Sequence, residues 1–315
     1  MANERPHDTR LWNASLSTMW AVTRSEPFAA FFPAARRLGF ARHELNHAVT
    51  GAMLVDVAPK TMIVSSVHEP CPTDVPKEER KAAGYVISSL DARARAVAVG
   101  FLRDAIDLAH RLGASAVVVH PGEVAVDRAL EQRMRQLFEQ GETGSAEYAE
   151  LASKYAAERA AAAPAHLEEV RASLLSVADH AEACGVRLGL ENRDHYYEIP
   201  LPDEMAELLA LRPGTIEYWH DVGHAAKLDH LGFHDQVEWL ERFATRVIGI
   251  HLHDIDGLTD HIAPGLGSVE WSGIADFIPR DAIRTFEVRG FTTPDQIRAA
   301  QELLHRAGCI EHPDD

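Results

Sequence analysis

Cysteine is scarce: Cys71, Cys184 and Cys309 are the three in the 315-residue chain. They lie far apart and form no metal-type pair, so they read as buried or free thiols in a reducing compartment. Positive charge is also thin, with 31 Lys plus Arg against 48 Asp plus Glu and a formal net charge of −17. Broad electrostatic capture of nucleic acid or of an anionic membrane is therefore not expected. No run approaches the roughly 18 apolar residues of a membrane helix. The opening MANERPHDTR is polar and lacks the apolar stretch of a secretory signal, which points to the cytoplasm. No phosphate-type glycine motif follows the first predicted strand, which disfavours a dinucleotide-binding sheet.

What the chain does have is 46% hydrophobic residues, enough to bury one large core, so residues 1–315 are expected to form a single domain. Apolar runs and helical periodicities alternate along it. Strands are predicted at 11–19, 40–46, 62–67, 116–119, 186–190, 216–220, 247–250 and 283–286. Helices are predicted at 27–38, 90–112, 165–183, 202–211, 235–244, 271–278 and 294–307, with Gly39 and Gly113 as stops for the first two. The Pro-rich stretch 70–79 reads as a loop. Residues 123–163 are rich in Ala, Glu, Gln and Arg, with Gly141 and Gly144 dividing two helical stretches, and read as a helical insertion after the fourth strand. Eight strand-then-helix alternations in one α/β chain of this length imply a (β/α)8 TIM barrel.

A chemical pattern is laid over this alternation. His68, His120, Glu191, Asp221, His251 and Glu287 each stand where a predicted strand breaks into a loop. A lone histidine or acid in such a place is usually just a satisfied polar group. Six of ligand type on six strands are a different matter, because barrel active sites lie at the C-terminal ends of the strands. Several carboxylates brought together without a cation would repel and raise one another's pKa. A divalent metal resolves that conflict, and mixed carboxylate and imidazole ligation suits Mn, Zn, Co or Fe.

The series HEP, HPG, ENRD, DVGH, HLHD, DHIAPGLGSVEW and FEV, in that order, resembles the xylose-isomerase-like TIM barrels, which include the sugar phosphate isomerase/epimerase family and endonuclease IV. The likeness runs over nearly the whole chain, with 123–163 its least typical part. In the epimerase branch the resemblance implies one divalent metal on Glu191, Asp221, His251 and Glu287, with His224 touching substrate. In the endonuclease IV branch it implies further ions, through His68, His120, His224, His261 and an aspartate two residues before the last. Thr259 stands at that aspartate position, with Asp260 beside it. His251 and His253 share one strand face at a spacing of two, and the HLHD segment aligns with His251 as ligand and places His253 nearer the rim.

These residues lead to an expected function. A metal-dependent isomerase or epimerase would act on a small sugar or related polyhydroxy-carbonyl compound through an enediolate, with Glu191 and Glu287 as the acid and base pair. His224 and His253 would orient hydroxyl groups, and Arg193 and Arg289 are the cations nearest the site in sequence. Glu44 and Glu198 are pocket or rim candidates. Trp12, Trp20 and Trp271 are candidates for an apolar wall, with core packing as their default. Gly265 and Gly267 would shape the loop that brings His261 inward. The alternatives are an endonuclease IV-like phosphodiesterase using more than one ion, and a lyase or dehydratase on the same barrel. The expected partner is a small polyol or sugar, with no nucleic acid and no membrane; a homo-oligomer is compatible with this.

Overall fold

The computed structural model describes residues 11–58 and 61–312, so the expectation attached to the first ten residues lies outside the described part. The chain opens with β1 (Trp12–Ser17), α1 (Met19–Val22), α2 (Phe31–Arg37), β2 (Phe40–Leu45), α3 (Gly51–Val55), β3 (Val64–His68), α4 (Lys77–Ala82) and α5 (Ala92–Leu112). Next come β4 (Ala116–Val119), β5 (Gly122–Glu123), α6 (Arg128–Glu139), α7 (Ala146–Cys184), β6 (Arg187–Glu191), β7 (Glu198–Ile199) and α8 (Pro202–Leu209). It continues through β8 (Ile216–Asp221), α9 (Val222–His230), α10 (Gln236–Phe243), β9 (Val247–Leu252), β10 (Asp254–Asp256) and β11 (Thr259–Ile262). It finishes with α11 (Trp271–Ala275), β12 (Ile283–Phe286) and α12 (Pro294–Arg306).

Eight of these strands close a parallel barrel in the order β1-β12-β9-β8-β6-β4-β3-β2, the (β/α)8 arrangement expected from the alternation. Closure suits the composition of the strands. β4 is Ala-Val-Val-Val with every side chain buried, as a strand covered on both faces requires. Inside the barrel, Trp219 packs against Ala116, Val118 and Ile248. Two glycines make room for it, because a Cβ at Gly249 would lie 2.1 Å from the indole and one at Gly189 2.9 Å. The helices are bounded by ordinary chemistry. The Asp91 carboxylate accepts from the N–H groups of Arg93 and Ala94 at the start of α5, and Gly113 ends it at φ 71°.

The insertion differs from the sequence reading at one boundary. α6 and the turn at Gly141 are as expected, but α7 does not stop at residue 163 and restart as a barrel helix. It runs unbroken for 39 residues through Pro164. Proline removes one helical hydrogen bond. Here it is exposed and flanked by strong helix formers, so the carbonyl it leaves unpaired can turn to water. The added helical arm has its own apolar cluster of Leu130, Met134, Leu137, Tyr148 and Tyr155, against which Tyr196, Tyr197 and Phe233 pack. Glu131, buried in this arm, accepts from Tyr155 Oη at 2.8 Å and from the Tyr196 N–H at 3.1 Å. The arm therefore clamps the loop after β6, which carries Arg193 to Glu198. The short elements that escaped the periodicity are α1, α3, α4, which starts inside the expected loop and runs past it, α9 directly after Asp221, and the β5–β7 and β10–β11 strand pairs.

Candidate metal centre

Strand register brings the expected ligands together. Asp221 pairs with His251 across β8 and β9, and Glu191 pairs with Trp219 across β6 and β8. Glu287 follows the last residue of β12. Ligand atoms of Glu191, Asp221, His251 and Glu287 all lie within 4.8 Å of one another, and all four residues are buried. His251 Nδ1 is at the centre, 2.7 Å from Glu191 Oε1, 3.1 Å from Glu287 Oε2 and 3.3 Å from Asp221 Oδ2. The other ring nitrogen lies 3.1 Å from both oxygens of Glu44, which is fully buried and also accepts from Ser66 Oγ at 2.9 Å. Glu44 is thus neither a rim nor a pocket residue; it supports His251 from inside the barrel.

Two flanking groups share members with this one. His68, His120 and Glu191 form the first; Asp221, His224, His253 and His261 form the second. His253 departs from the sequence reading. It is fully buried, with Nε2 2.9 and 3.0 Å from the two Asp221 oxygens, because α9 begins at Asp221 and Gly223 leaves the space for the ring. His253, the residue after β9, is thus the fourth member of the group with Asp221, His224 and His261, and Thr259 is not part of it. Asp260 does not join the group but holds it, through His261 Nδ1 at 2.9 Å, Lys227 Nζ at 2.5 Å and Arg289 Nη2 at 2.7 Å. His261 adopts φ 57°, a left-handed conformation unusual for a side-chain-bearing residue and common at sites held by their surroundings.

Charge is balanced by the chain's own cations. Burial alone would raise Glu191, but the Arg193 guanidinium, His120 and His251 outweigh it and hold the carboxylate well below its usual range. Burial likewise opposes a charged His251, yet Glu287 and Glu44 keep it well above the ordinary histidine value. His261 is pushed up to about 10 against burial by Asp260 and Glu287. His120 is driven down to about 3 by burial and by Arg193. Arg193 Nη1 contacts Glu191 Oε2 and lies 2.7 Å from His120 Nε2, so the guanidinium sits among donors of the first flanking group. The donor chemistry fits a divalent ion: three carboxylates converge on one imidazole nitrogen, and an ion there would replace the His251 proton.

Other candidates are placed less centrally. Arg289 stays at the rim on Asp260, and Glu198 lies 3.4 Å from Arg193 Nε. The tryptophans serve the scaffold. Trp12 packs edge-on against His305 and His312, while Trp20 and Trp271 donate to Thr292 O and Asp254 Oδ2. Gly265 donates its N–H to Asp254, and a Cβ at Gly267 would meet the Ile255 carbonyl at 2.2 Å, so both fold the loop onto β10. Sequence reasoning missed Asn46, His47, Asn192 and Lys227. Asn46 Nδ2 donates to Glu287 at 3.3 Å, and Asn192 Nδ2 donates to the Asp221 carbonyl at 2.8 Å. Asn46 and His47 follow β2 as His68 ends β3, so the strand-end rule could have found them.

The model of the xylose isomerase-like TIM barrel family matches residues 67–307. The chain belongs to that family. Among relatives of this xylose isomerase-like barrel, the uncharacterised protein MJ1311 of Methanocaldococcus jannaschii is 26% identical over 188 residues, 58% of this chain and 53% of its own. The chain thus matches about half the length of that curated relative. A D-tagatose 3-epimerase-like protein shares the fold with a TM-score of 0.60 and 20% identity over 93% of this chain and 96% of its own. The TTHB071 protein from Thermus thermophilus, in a crystal soaked with ZnCl2, does so at 0.59 and 20% over 94% and 97%. At these identities the likenesses establish the barrel. Among the described residues, no helix is long and apolar enough to cross a membrane.

Proposed function

We propose that this chain is a single-domain, divalent-metal-dependent isomerase or epimerase acting on a sugar or related polyhydroxy-carbonyl compound through an enediolate. The observation that carries this is the meeting of Glu191, Asp221, His251 and Glu287 at the ends of four neighbouring barrel strands. Its likeness to a D-tagatose 3-epimerase-like protein supports the substrate class.

An ion held by these four side chains would act as a Lewis acid, polarising a carbonyl and its adjacent hydroxyl. The proton work falls to the two glutamates. One would take the proton from the hydroxyl-bearing carbon next to the carbonyl, and the other would deliver a solvent-derived proton to that carbon on the opposite face. Each is oriented separately: Glu191 by Arg193 and His120, Glu287 by the Asn46 amide and by His261, whose Nε2 lies 3.4 Å away. His224, its Nδ1 3.9 Å from Glu191, would orient a substrate hydroxyl.

A second function, hydrolysis of a phosphodiester by several ions as in endonuclease IV, is favoured by one specific observation. Glu191 and Asp221 are each shared between the central donor group and a flanking one. The net charge of −17 weighs against a duplex nucleic acid substrate.

Elemental analysis followed by incubation of metal-loaded protein with ketoses and polyols in D2O tests the choice. Deuterium entering carbon without net mass change otherwise is the expected result. Loss of one water would identify a dehydratase. Two or three ions per chain with release of phosphate from diesters would favour the hydrolase, and a chain that takes up no divalent ion would sink the metal-dependent function.

A further inference from the structure

A second cluster of ligand-type side chains lies at the opposite end of the barrel, where α5 and α7 run into β4 and β6. Asp107 projects from the last turns of α5. His180 and Cys184 stand one turn apart at the end of α7, a spacing that stacks two side chains on one helix face. Cys184, which from sequence reads as an isolated thiol, is therefore not isolated. His180 Nε2 lies 2.7 Å from Asp107 Oδ1 and 3.9 Å from Cys184 Sγ, and the three ligand atoms all fall within 4.8 Å of one another. The seam is fixed by His110, one helical turn beyond Asp107, whose Nδ1 lies 2.8 Å from the Cys184 carbonyl oxygen.

A nucleophilic Cys-His-Asp relay is excluded by which nitrogen is used. A relay needs one ring nitrogen toward the thiol and the other toward the carboxylate. Here both partners face the same Nε2. That is the arrangement of three ligands around one point. Tetrahedral zinc with bonds of roughly 2.0 to 2.3 Å separates its ligand atoms by about 3.3 to 3.6 Å. The observed 2.7 and 3.9 Å bracket that range, so small side-chain rotations suffice. Asp107 and His180 are 47% and 39% exposed, which leaves an entry path and a fourth position for water.

We infer that Asp107, His180 and Cys184 form a surface site for a thiophilic divalent cation of the zinc class, joining α5 to α7 at the base of the barrel. The sulfur, nitrogen and oxygen donors suit Zn2+ or Co2+ and disfavour Mg2+ or Ca2+. The site shares no residue with the barrel mouth, so it stands or falls apart from the proposed enzyme function.

Cobalt reads this site selectively, because a thiolate ligand produces a near-ultraviolet sulfur-to-cobalt charge-transfer band and the barrel-mouth donors contain no sulfur. Cys71 and Cys309 are fully buried elsewhere. Titration of the full chain with Co2+ is expected to develop that band to the amplitude of one thiolate-bound cobalt per chain, whatever the barrel mouth takes up besides, and Zn2+ should bleach it. Cys184→Ser should abolish it, His180→Ala should weaken cobalt affinity at least tenfold, and His251→Ala should leave it in place. No band at saturating Co2+, a band that survives Cys184→Ser, or unchanged affinity in His180→Ala would each overturn the site. As a second measurement on unaltered protein, Zn2+ should slow alkylation of Cys184; an unchanged rate counts against it.

Discussion

His251 Nε2 sits 3.1 Å from both carboxylate oxygens of Glu44, a residue on a barrel strand remote in sequence. That contact fixes the ring so that Nδ1 faces Glu191, Asp221 and Glu287. Partners of this kind orient a metal-ligating histidine and raise its basicity, and their loss costs about 10- to 100-fold in metal affinity. Glu44→Gln keeps the shape but surrenders the charge. Competition against a chelator should show affinity falling by that factor with the ion count at saturation unchanged. An affinity equal to that of the wild type would mean that Glu44 only fills space.

The barrel and most of its strand ends were legible from sequence because strands such as β4 and β9 are short apolar runs followed or closed by a polar residue. The choice of Glu191, Asp221, His251 and Glu287 among six strand-end candidates rested on the family resemblance, not on the strand pattern. Residues such as Val118 and Ile250 mark such runs without ambiguity. Glu44 and His253 were harder, because their roles depend on depth rather than order. Strand alternation places His251 and His253 on one face, but only the start of α9 at Asp221, with Gly223 beside it, draws His253 inward. The single helix of α7 was hidden by Pro164, whose local rule is outweighed by exposure and by its neighbours. Arg193 could be suspected from its place after Glu191, yet nothing in the spacing says that its guanidinium would reach His120.

Arg193 and an ion cannot use the same lone pairs of His120 and Glu191 together. With the guanidinium in place, the His68–His120–Glu191 position is closed to an ion, so His68→Ala should leave the metal content of the wild-type chain unchanged. Arg193→Met should raise it by one equivalent, and His68→Ala in that background should remove the gain. Elemental analysis after loading with Zn2+ or Mn2+ gives the counts. Loss of one equivalent from His68→Ala in the wild-type chain would show that Arg193 yields to the ion.

Gly223 and His253 should behave as one packing unit. A Cβ at Gly223 would lie 2.2 Å from His253 Cε1, and both flanking ring nitrogens are held, Nε2 by Asp221 and Nδ1 by the His261 N–H at 3.0 Å. Overpacking of this kind costs about 1–3 kcal/mol. In urea unfolding, Gly223→Ala is expected to fall in that range, and most of the loss should vanish in a His253→Ala background. Coupling of about 1 kcal/mol or more is expected between residues in contact. Additive costs would instead place the strain in the α9 backbone.

His43 offers a test of pH dependence away from the metal centre. Its ring is buried between Phe31 and Phe32, with Nδ1 3.3 Å from the Ile63 carbonyl oxygen and Nε2 without a partner among the described residues. Burial lowers its pKa from 6.5 to about 4. Above the unfolded value neither state binds the proton, so stability is unaffected. As pH falls below it, the unfolded chain takes up a proton that the folded chain refuses, and stability is lost until the folded value is reached. Integrated over that window, the loss is on the order of 3 kcal/mol. His43→Leu keeps the apolar contacts and removes the titration. Its urea midpoint relative to the wild type should therefore rise steadily from pH 7 to pH 4.5, whereas a constant difference would show that His43 is protonated as readily in the folded chain as in the unfolded one.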